Sequence, residues 1–317
     1  NKGIEIAQSS GKKNVLIAAG TYNETIVLAD GVSVHGAYSG IPEWKRSLQN
    51  EVLVIGGTTG MTGVSVSDLT VSFIRIRSAD NFAESGTSIG VKLKSCGTVQ
   101  LRHVVIESGH GGDGKKGDDG SAGVNGDNGG YGYPGCENDG GLCDSCSRPG
   151  AGSGGNSSCG SNGGNGGQPG NGNSNGDPGQ NGTGSADNAG PGGTANSTDG
   201  NCGLDLPNGK DGPDGSSGVH GTAGASFGGY DSSGYMLGNG GEGQTGVNGT
   251  GGGGGGGGHG GNDGTVWDCD TYGSSGGGGG AGGCGGTAGK GGTGGGASIG
   301  LWVEYSTLIV LENISID

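Results

Sequence analysis

The chain is short of nearly everything an ordinary core is made from. Of its 317 residues 28% are hydrophobic and 4% aromatic, with three Phe, three Trp and two Met. A typical soluble domain is roughly 45–50% apolar. That shortfall excludes two conventional cores side by side, although the length would allow two domains. Basic residues are scarce as well: 15 Lys and Arg face 30 Asp and Glu, for a net charge of −15. No basic run is longer than Lys12-Lys13 or Lys115-Lys116, so nucleic acid and anionic membrane surfaces are poor partners. No apolar stretch approaches the roughly 18–20 residues of a membrane-spanning helix. Helical patterning is nearly absent outside 4–9, a segment able to cap a first turn. The chain opens on Asn1 without Met or a signal segment, as a processed product or an excerpt would.

What is present falls into two kinds of sequence. Residues 14–108 form short β-rich runs joined by Gly, Asp or Ser turns, returning every 20–30 residues or so. Alternation such as Val91-Lys92-Leu93-Lys94 turns one face inward and one outward. Residues 88–107 align without a gap on 298–317, Leu101 matching Leu311 and Ile106 matching Ile316. Between these copies lies an insertion that holds 75 of the 90 glycines and seven of the eight cysteines. The expected architecture is all-β: a right-handed parallel β-helix of residues 1–109 plus 297–317, interrupted by a glycine-rich domain over 110–296. A β-sandwich is the alternative, but Asn-Gly hairpin signals are missing between the β-rich runs.

Within the insertion glycine recurs every third residue over 111–135, 209–224 and 240–264, with shorter phased runs elsewhere. Three residues make one turn of a polyproline-II-type helix, so such a segment carries one face without side chains. Collagen is excluded by the 8 prolines of the whole chain, where collagen-like sequence carries roughly 15–20%. It is excluded too by a loop that must return to its root. The insertion is therefore expected to fold on itself as a bundle of antiparallel polyglycine-II-like helices, with a flexible linker as the alternative. Segments of one glycine face belong outside, with Lys115, Asp118 and Asp119 outward. The runs 251–258 and 276–280 belong in the middle. Six helices are expected if the phase slip at Gly166-Gly167 marks a bend.

Residues 18–40 (AAGTYNETIVLADGVSVHGAYSG), with Trp44, Arg46 and Ser47, resemble the opening of bacterial surface proteins with pectin-lyase-like β-helices. The resemblance covers about the first 108 residues and the last 20, and it implies a fold that hosts enzymes, adhesins and stalks alike. The insertion is similar in periodicity to the glycine-rich snow-flea antifreeze protein and to the receptor-binding adhesin at the tip of some phage tail fibres.

Cys96, Cys136, Cys143, Cys146, Cys159, Cys202, Cys269 and Cys284 are the disulfide candidates, an even count in a core-poor, acidic chain that points to an oxidising compartment. Cys96 aligns with Ser306 and is placed to bridge into the insertion. One Cys-x-x-Cys without a second pair does not make a zinc site. Six sequons start at Asn23, Asn156, Asn181, Asn196, Asn248 and Asn313. Aromatic residues gather at breaks in the triplet phase, and Tyr131, Tyr133, Phe227, Tyr230, Tyr235, Trp267 and Tyr272 are the recognition candidates, or else plugs for the bundle ends.

His110, Asp118 and Asp119 echo glycosidase motifs in the wrong order. Arg75, Arg77, Lys92, Lys94 and Arg102 are basic, but the facing carboxylates that a lyase needs are sparse, so these read as solvated strand faces. The sequence around 257–263 is a single, unrepeated near-match to a calcium-binding nonapeptide. No catalytic, metal or cofactor residue is assigned. Leu308, Val310, Leu311, Ile314 and Ile316 make the last turn apolar, the candidate surface for end-to-end stacking. The expected function is that of a non-enzymatic extracellular or cell-surface structural protein, a self-associating fibre subunit or an adhesin with surface glycans as possible ligands. The alternatives are an ice-binding protein and a carbohydrate-active enzyme.

Overall fold

The computed structural model describes residues 1–136, 147–184, 189–195, 210, 213–225, 227–231, 234–262 and 270–317. These form two compact units. The first comprises Asn1–Gly117, Thr222–Gly241 and Gly291–Asp317, the second Asp118–Gly221 and Glu242–Lys290. Residues 222–241, expected in the glycine-rich domain, thus group with the sheets.

The first unit opens on α1 (Lys2–Ser9), followed by β1 (Asn14–Ala18), β2 (Gly20–Tyr22), β3 (Ile26–Val27), β4 (Ser33–Tyr38) and β5 (Val52–Ile55). Then come β6 (Thr59–Val64), β7 (Leu69–Arg77), β8 (Ser88–Lys94) and β9 (Thr98–Glu107). A small hairpin of β10 (Gly229–Asp231) and β11 (Gly234–Met236) precedes β12 (Ser298–Glu304), β13 (Leu308–Glu312) and β14 (Ser315–Ile316). Eight strands share one sheet and β12-β8-β6-β3 form another, all pairs within them being parallel. Along the chain β3, β6, β8 and β12 each hand over to a strand of the larger sheet.

Register turns the sequence repeat into columns of like residues. Val71 pairs with Leu101 and Ile76 with Ile106, thirty residues on; Leu101 pairs with Leu311 and Ile106 with Ile316. The two aligned stretches are therefore neighbours in parallel register, and the core is their shared aliphatic stack. Val34, Val71, Val91, Leu93, Leu101 and Ile106 are fully buried there, each worth roughly 1.5–3 kcal/mol for leaving water. Ile4 and Ala7 of α1 join the same cluster, as expected of a capping segment. Cys96 is also in this core, 1% exposed, its thiol 3.4 Å from the Gly63 carbonyl oxygen, and it is free. The expectation that it bridges into the insertion is corrected. It sits at the inward-facing corner after β8, where a small apolar side chain packs.

Among its described residues the second unit has almost no side-chain core, and main-chain hydrogen bonds recurring every third residue tie its segments together. Ser275, Gly278, Ala281, Cys284, Thr287 and Lys290 donate their N–H groups to the carbonyls of Tyr133, Gly130, Asp127, Val124, Ser121 and Asp118. That ladder is antiparallel. A second one runs from Gly243, Gly246, Gly249, Gly252, Gly255 and Gly258 to Gly289, Gly286, Gly283, Gly280, Gly277 and Ser274. The run 251–258 also donates to Thr183, Gln180 and Asp177, and accepts from Gly164, Gly167 and Gly170 and from Gly190 and Gly193. It is buried throughout except for half-buried Gly255, as expected of a stretch with neighbours on every side. The run 276–280 departs from expectation, grading from buried Gly276 to exposed Gly280. Lys115, Asp118 and Asp119 are exposed.

Glycine spacing tracks the number of neighbours. A Cβ on Gly163 or Gly166 would meet Gly279 or Gly276 at 1.9 Å, while one on Gly164 or Gly167 would meet Gln180 or Asp177 at 2.0 and 1.9 Å. Paired glycines therefore serve two close approaches at once. The slip at Gly166-Gly167 is no bend: the chain runs straight through it and turns at Gly160 and Gly172, whose φ values are 83° and 51°. Left-handed conformations of this kind favour glycine. Eight triplet-bonded segments, not six, are present in this unit among the described residues (118–135, 150–157, 161–170, 174–183, 189–195, 213–221, 242–260 and 273–290).

Hydroxyl groups complete the ladders. Thr287 donates its N–H to Ser121 O, and its Oγ1 accepts the Ser121 N–H at 2.7 Å. Ser275 with Tyr133, Thr183 with Asn162 and Ser216 with Val247 repeat this reciprocal pair, and in the first unit so do Thr293 with Lys115 and Thr222 with Gly241. The side chain satisfies a backbone donor that the antiparallel pairing leaves without a carbonyl. A disulfide joins Cys159 to Cys284, with Cα atoms 5.7 Å apart, and Cys136 is also disulfide-bonded. Cys143, Cys146, Cys202 and Cys269 lie outside the described residues.

Candidate functional site

At one end of the second unit, three triplet segments stop together. Tyr272 makes isolated bridges with both Cys136 and Asn171, and Gly261 bridges Thr271. A groove of about 320 Å³ opens there, lined by Gly132, Tyr133, Pro134, Gly255, Gly256, Ser274, Ser275, Gly276 and Gly277. Its floor is bare backbone because Gly255, Gly256, Gly276 and Gly277 come from the two continuous glycine runs, which carry no side chains. Its wall is held by buried Ser275, whose Oγ accepts the Tyr133 N–H at 2.8 Å and donates to Gly150 O at 2.6 Å. Tyr131 is 91% exposed and Tyr133 59% exposed, whereas Tyr272 is half-buried. Two of the three rings therefore stand in solvent instead of plugging the end.

The remaining candidates lie in the first unit. Phe227 and Tyr230 are exposed on and beside β10, and half-buried Tyr235 on β11 accepts the Gly228 N–H at 3.1 Å. Tyr230 meets Trp302 of β12 edge-on, ring centroids 6.2 Å apart. Trp302 is absent from the sequence-based candidates. Its signal was there, since it replaces Lys92 at an outward position of the repeat. Trp267 lies outside the described residues.

Arg75, Arg77, Lys94 and Arg102 have carboxylate partners on neighbouring parallel strands. Arg77 pairs across with Glu107, Lys94 with Glu304 and Arg102 with Glu312, each in direct register. The ion pairs measure 2.6, 3.1 and 3.2 Å, and Arg75 also reaches Glu107. The Glu304 Oε1 is buried and close to Lys94 but lacks hydrogen-bond alignment with it. Burial alone would raise the Glu107 carboxyl, but hydrogen bonds from Arg77 and Arg75 outweigh it and hold its pKa below the ordinary value. An outward stack runs beside these pairs. The Arg46 guanidinium lies 4.2 Å over the Phe73 ring, which stacks on His103 at 4.5 Å. Phe73, His103 and Asn313 all take left-handed φ near 52–55°, and the stacking of the first two offsets part of that strain.

His110 belongs to the first unit, with its N–H bonded to Asp80 at 2.7 Å, while Asp118 and Asp119 are exposed in the second. Among the described residues no three His, Cys, Asp or Glu side chains gather as a metal would require, and no helix is long and apolar enough to cross a membrane. Val310 and Ile314 are half-buried, while Leu308, Leu311 and Ile316 are about half exposed. No family model, curated protein or solved structure matches the chain.

Proposed function

We propose that this chain is a non-enzymatic extracellular adhesin, a right-handed parallel β-helix carrying a polyglycine-II-like bundle whose aromatic end binds surface glycans. The observation that carries the reading is the placement of Tyr133, largely exposed, in the lining of a groove floored by hydrogen-bonded glycine backbone, with the exposed Tyr131 two residues before it in the chain. Such a site is pre-organised, so little ordering cost opposes binding. Tyr rings offer a flat apolar face with a polar tip, suited to a sugar ring. The disulfides accord with an oxidising compartment.

A fibre made by end-to-end stacking has less support. It needs two bare ends, and α1 covers the first turn with Ile4 and Ala7. Self-association through the half-exposed Leu308, Leu311 and Ile316 then pairs like ends, which closes at a dimer. An ice-binding face would be flat and small-residue, but the outer segment over 113–128 displays Asp113, Lys115, Lys116, Asp118, Asp119 and Asp127. A lyase reading is disfavoured by Arg77, Lys94 and Arg102 already serving cross-turn ion pairs.

Screening the purified chain against an immobilised glycan panel tests the reading. Retention of at least one glycan class is expected, lost in Tyr131→Ala/Tyr133→Ala while the thermal transition is kept. Equal retention by that variant, or none by the parent chain, overturns the site. Turnover of a polysaccharide by the parent chain overturns the non-enzymatic assignment.

A further inference from the structure

Nine Asn-Gly steps fall among the described residues, and the structure divides them sharply. We infer that Asn125 and Asn128 are sites of spontaneous deamidation, and that the main-chain ladders shield five of the others. In this reaction the deprotonated glycine nitrogen attacks the asparagine Cγ. A C–N bond forms, the carboxamide C–N bond breaks, and ammonia leaves. The resulting five-membered imide is opened by water at either carbonyl, giving aspartate or isoaspartate. No oxidant or cofactor is needed, only a glycine N–H and an asparagine side chain both free to meet.

Five steps lack that freedom twice over. The glycine amides following Asn162, Asn165, Asn181, Asn239 and Asn248 donate to Gly155, Gly152, Gly190, Gly292 and Gly283. The same five asparagines each use Oδ1 to accept a backbone N–H, from Ser157, Gly154, Gly192, Gly294 and Gly285, at 2.8–3.0 Å. Attack would require both bonds to open together. Gly172, after Asn171, is bonded to Thr271 O at 3.1 Å but its asparagine side chain is not engaged in this way. Asn125 and Asn128 are exposed on the outer segment, and neither Gly126 nor Gly129 donates a main-chain hydrogen bond to any described residue. Asn175 is intermediate, exposed but followed by a buried glycine with no such bond.

The product matters to the bundle. Isoaspartate adds a backbone atom and so breaks the three-residue phase, while either product adds negative charge to an already acidic face.

Incubating the intact, oxidised chain in heavy-oxygen water at mildly alkaline pH, followed by peptide mass spectrometry, tests this. The new carboxyl retains heavy oxygen, which marks conversion during the incubation and leaves older damage unlabelled. Conversion at Asn125 and Asn128 is expected to be about tenfold or more faster than at the five doubly bonded sites, which react only through local opening. Unfolded in denaturant after reduction, the nine steps should converge to similar rates. Conversion of Asn162, Asn165 or Asn181 as fast as Asn125 in the folded chain overturns the inference, and so does a silent Asn125 and Asn128. A spread between the two classes that persists in denaturant also overturns it, because neighbouring sequence would then be its cause.

Discussion

The two units hold neighbouring segments together by opposite means. In the sheet unit side chains do it: Val71 and Leu101, both fully buried, stand in one column with half-exposed Leu311. In the glycine-rich unit the backbone does it, and a side chain in the wrong place is the hazard. Adding and removing a methyl group should therefore have reversed consequences in the two. Leu101→Ala leaves a hole in a fully buried column and should cost about 2–5 kcal/mol, read as a lower thermal midpoint. Gly254→Ala adds a Cβ that would lie 2.1 Å from Asn165 O, with backbone on the far side unable to rotate away. A loss near the upper end of overpacking, about 3 kcal/mol, is expected. Gly255→Ala is the control: its Cβ meets nothing closer than 3.5 Å and should change stability by under about 0.5 kcal/mol. Equal effects at 254 and 255 would break the comparison.

How much of this contrast could be read from residues alone depends on the unit. The strand columns were legible because burial on one face imposes a period of two and the copies at 88–107 and 298–317 preserve it. The triplet bundle was legible in outline, since one glycine in three leaves one bare face. Its interior was only half legible. Paired glycines such as Gly163-Gly164 signal two close neighbours, but a phase slip and a bend look alike in sequence, and the turns at Gly160 and Gly172 carry no special spacing. Cys96 misled because cysteine count treats every thiol alike, while its corner position fixes it in the core. Nor did the sequence distinguish the exposed Tyr131 from the half-buried Tyr272, because exposure at a segment end depends on which neighbours stop with it.

Cross-linking sharpens the comparison next. Ordering flexible backbone costs the glycine-rich unit heavily, roughly 1–2 kcal/mol per residue, and a Cys159–Cys284 bridge spanning 125 residues restricts its unfolded chain. Cys159→Ser/Cys284→Ser should cost about 2–4 kcal/mol, seen as faster amide exchange over 118–135 and 273–290. Exchange over β7 and β9 should not change by more than about a tenth of that energy. Equal loosening of both units would mean that they do not unfold separately.

A smaller effect is expected from the hydroxyl pairs. Thr287→Val keeps the shape and the N–H bond to Ser121 O but removes the acceptor for the Ser121 N–H. Because Ser121 is exposed, water can substitute in part, and the loss should be about 0.5–1.5 kcal/mol. Thr287→Ser should restore most of it. If the valine variant is as stable as the parent, the hydroxyls are decorations on ladders that stand without them.

The smallest effect belongs to the sheet unit's charges. Glu107 is held below its ordinary pKa by Arg77 and Arg75 against the opposing pull of burial. A depressed carboxylate contributes stability that is full above its unfolded pKa, about 4.3, and is lost as pH falls through the folded value. Glu107→Gln should therefore lower the thermal midpoint near neutral pH, and the gap from the parent should close on acidification below about pH 4. His35, whose pKa burial and then Arg46 push below 6.5, adds a separate loss that begins higher, as pH falls below that ordinary value. The ladders of the glycine-rich unit are made of main-chain N–H and C=O groups, which do not titrate over this range. Its exchange rates, corrected for the chemistry of exchange, should stay level over the same range. A bundle that loosens in step with the sheets would show that protons act on it through the sheet unit, and the side-chain columns and main-chain ladders would then belong to one cooperative structure.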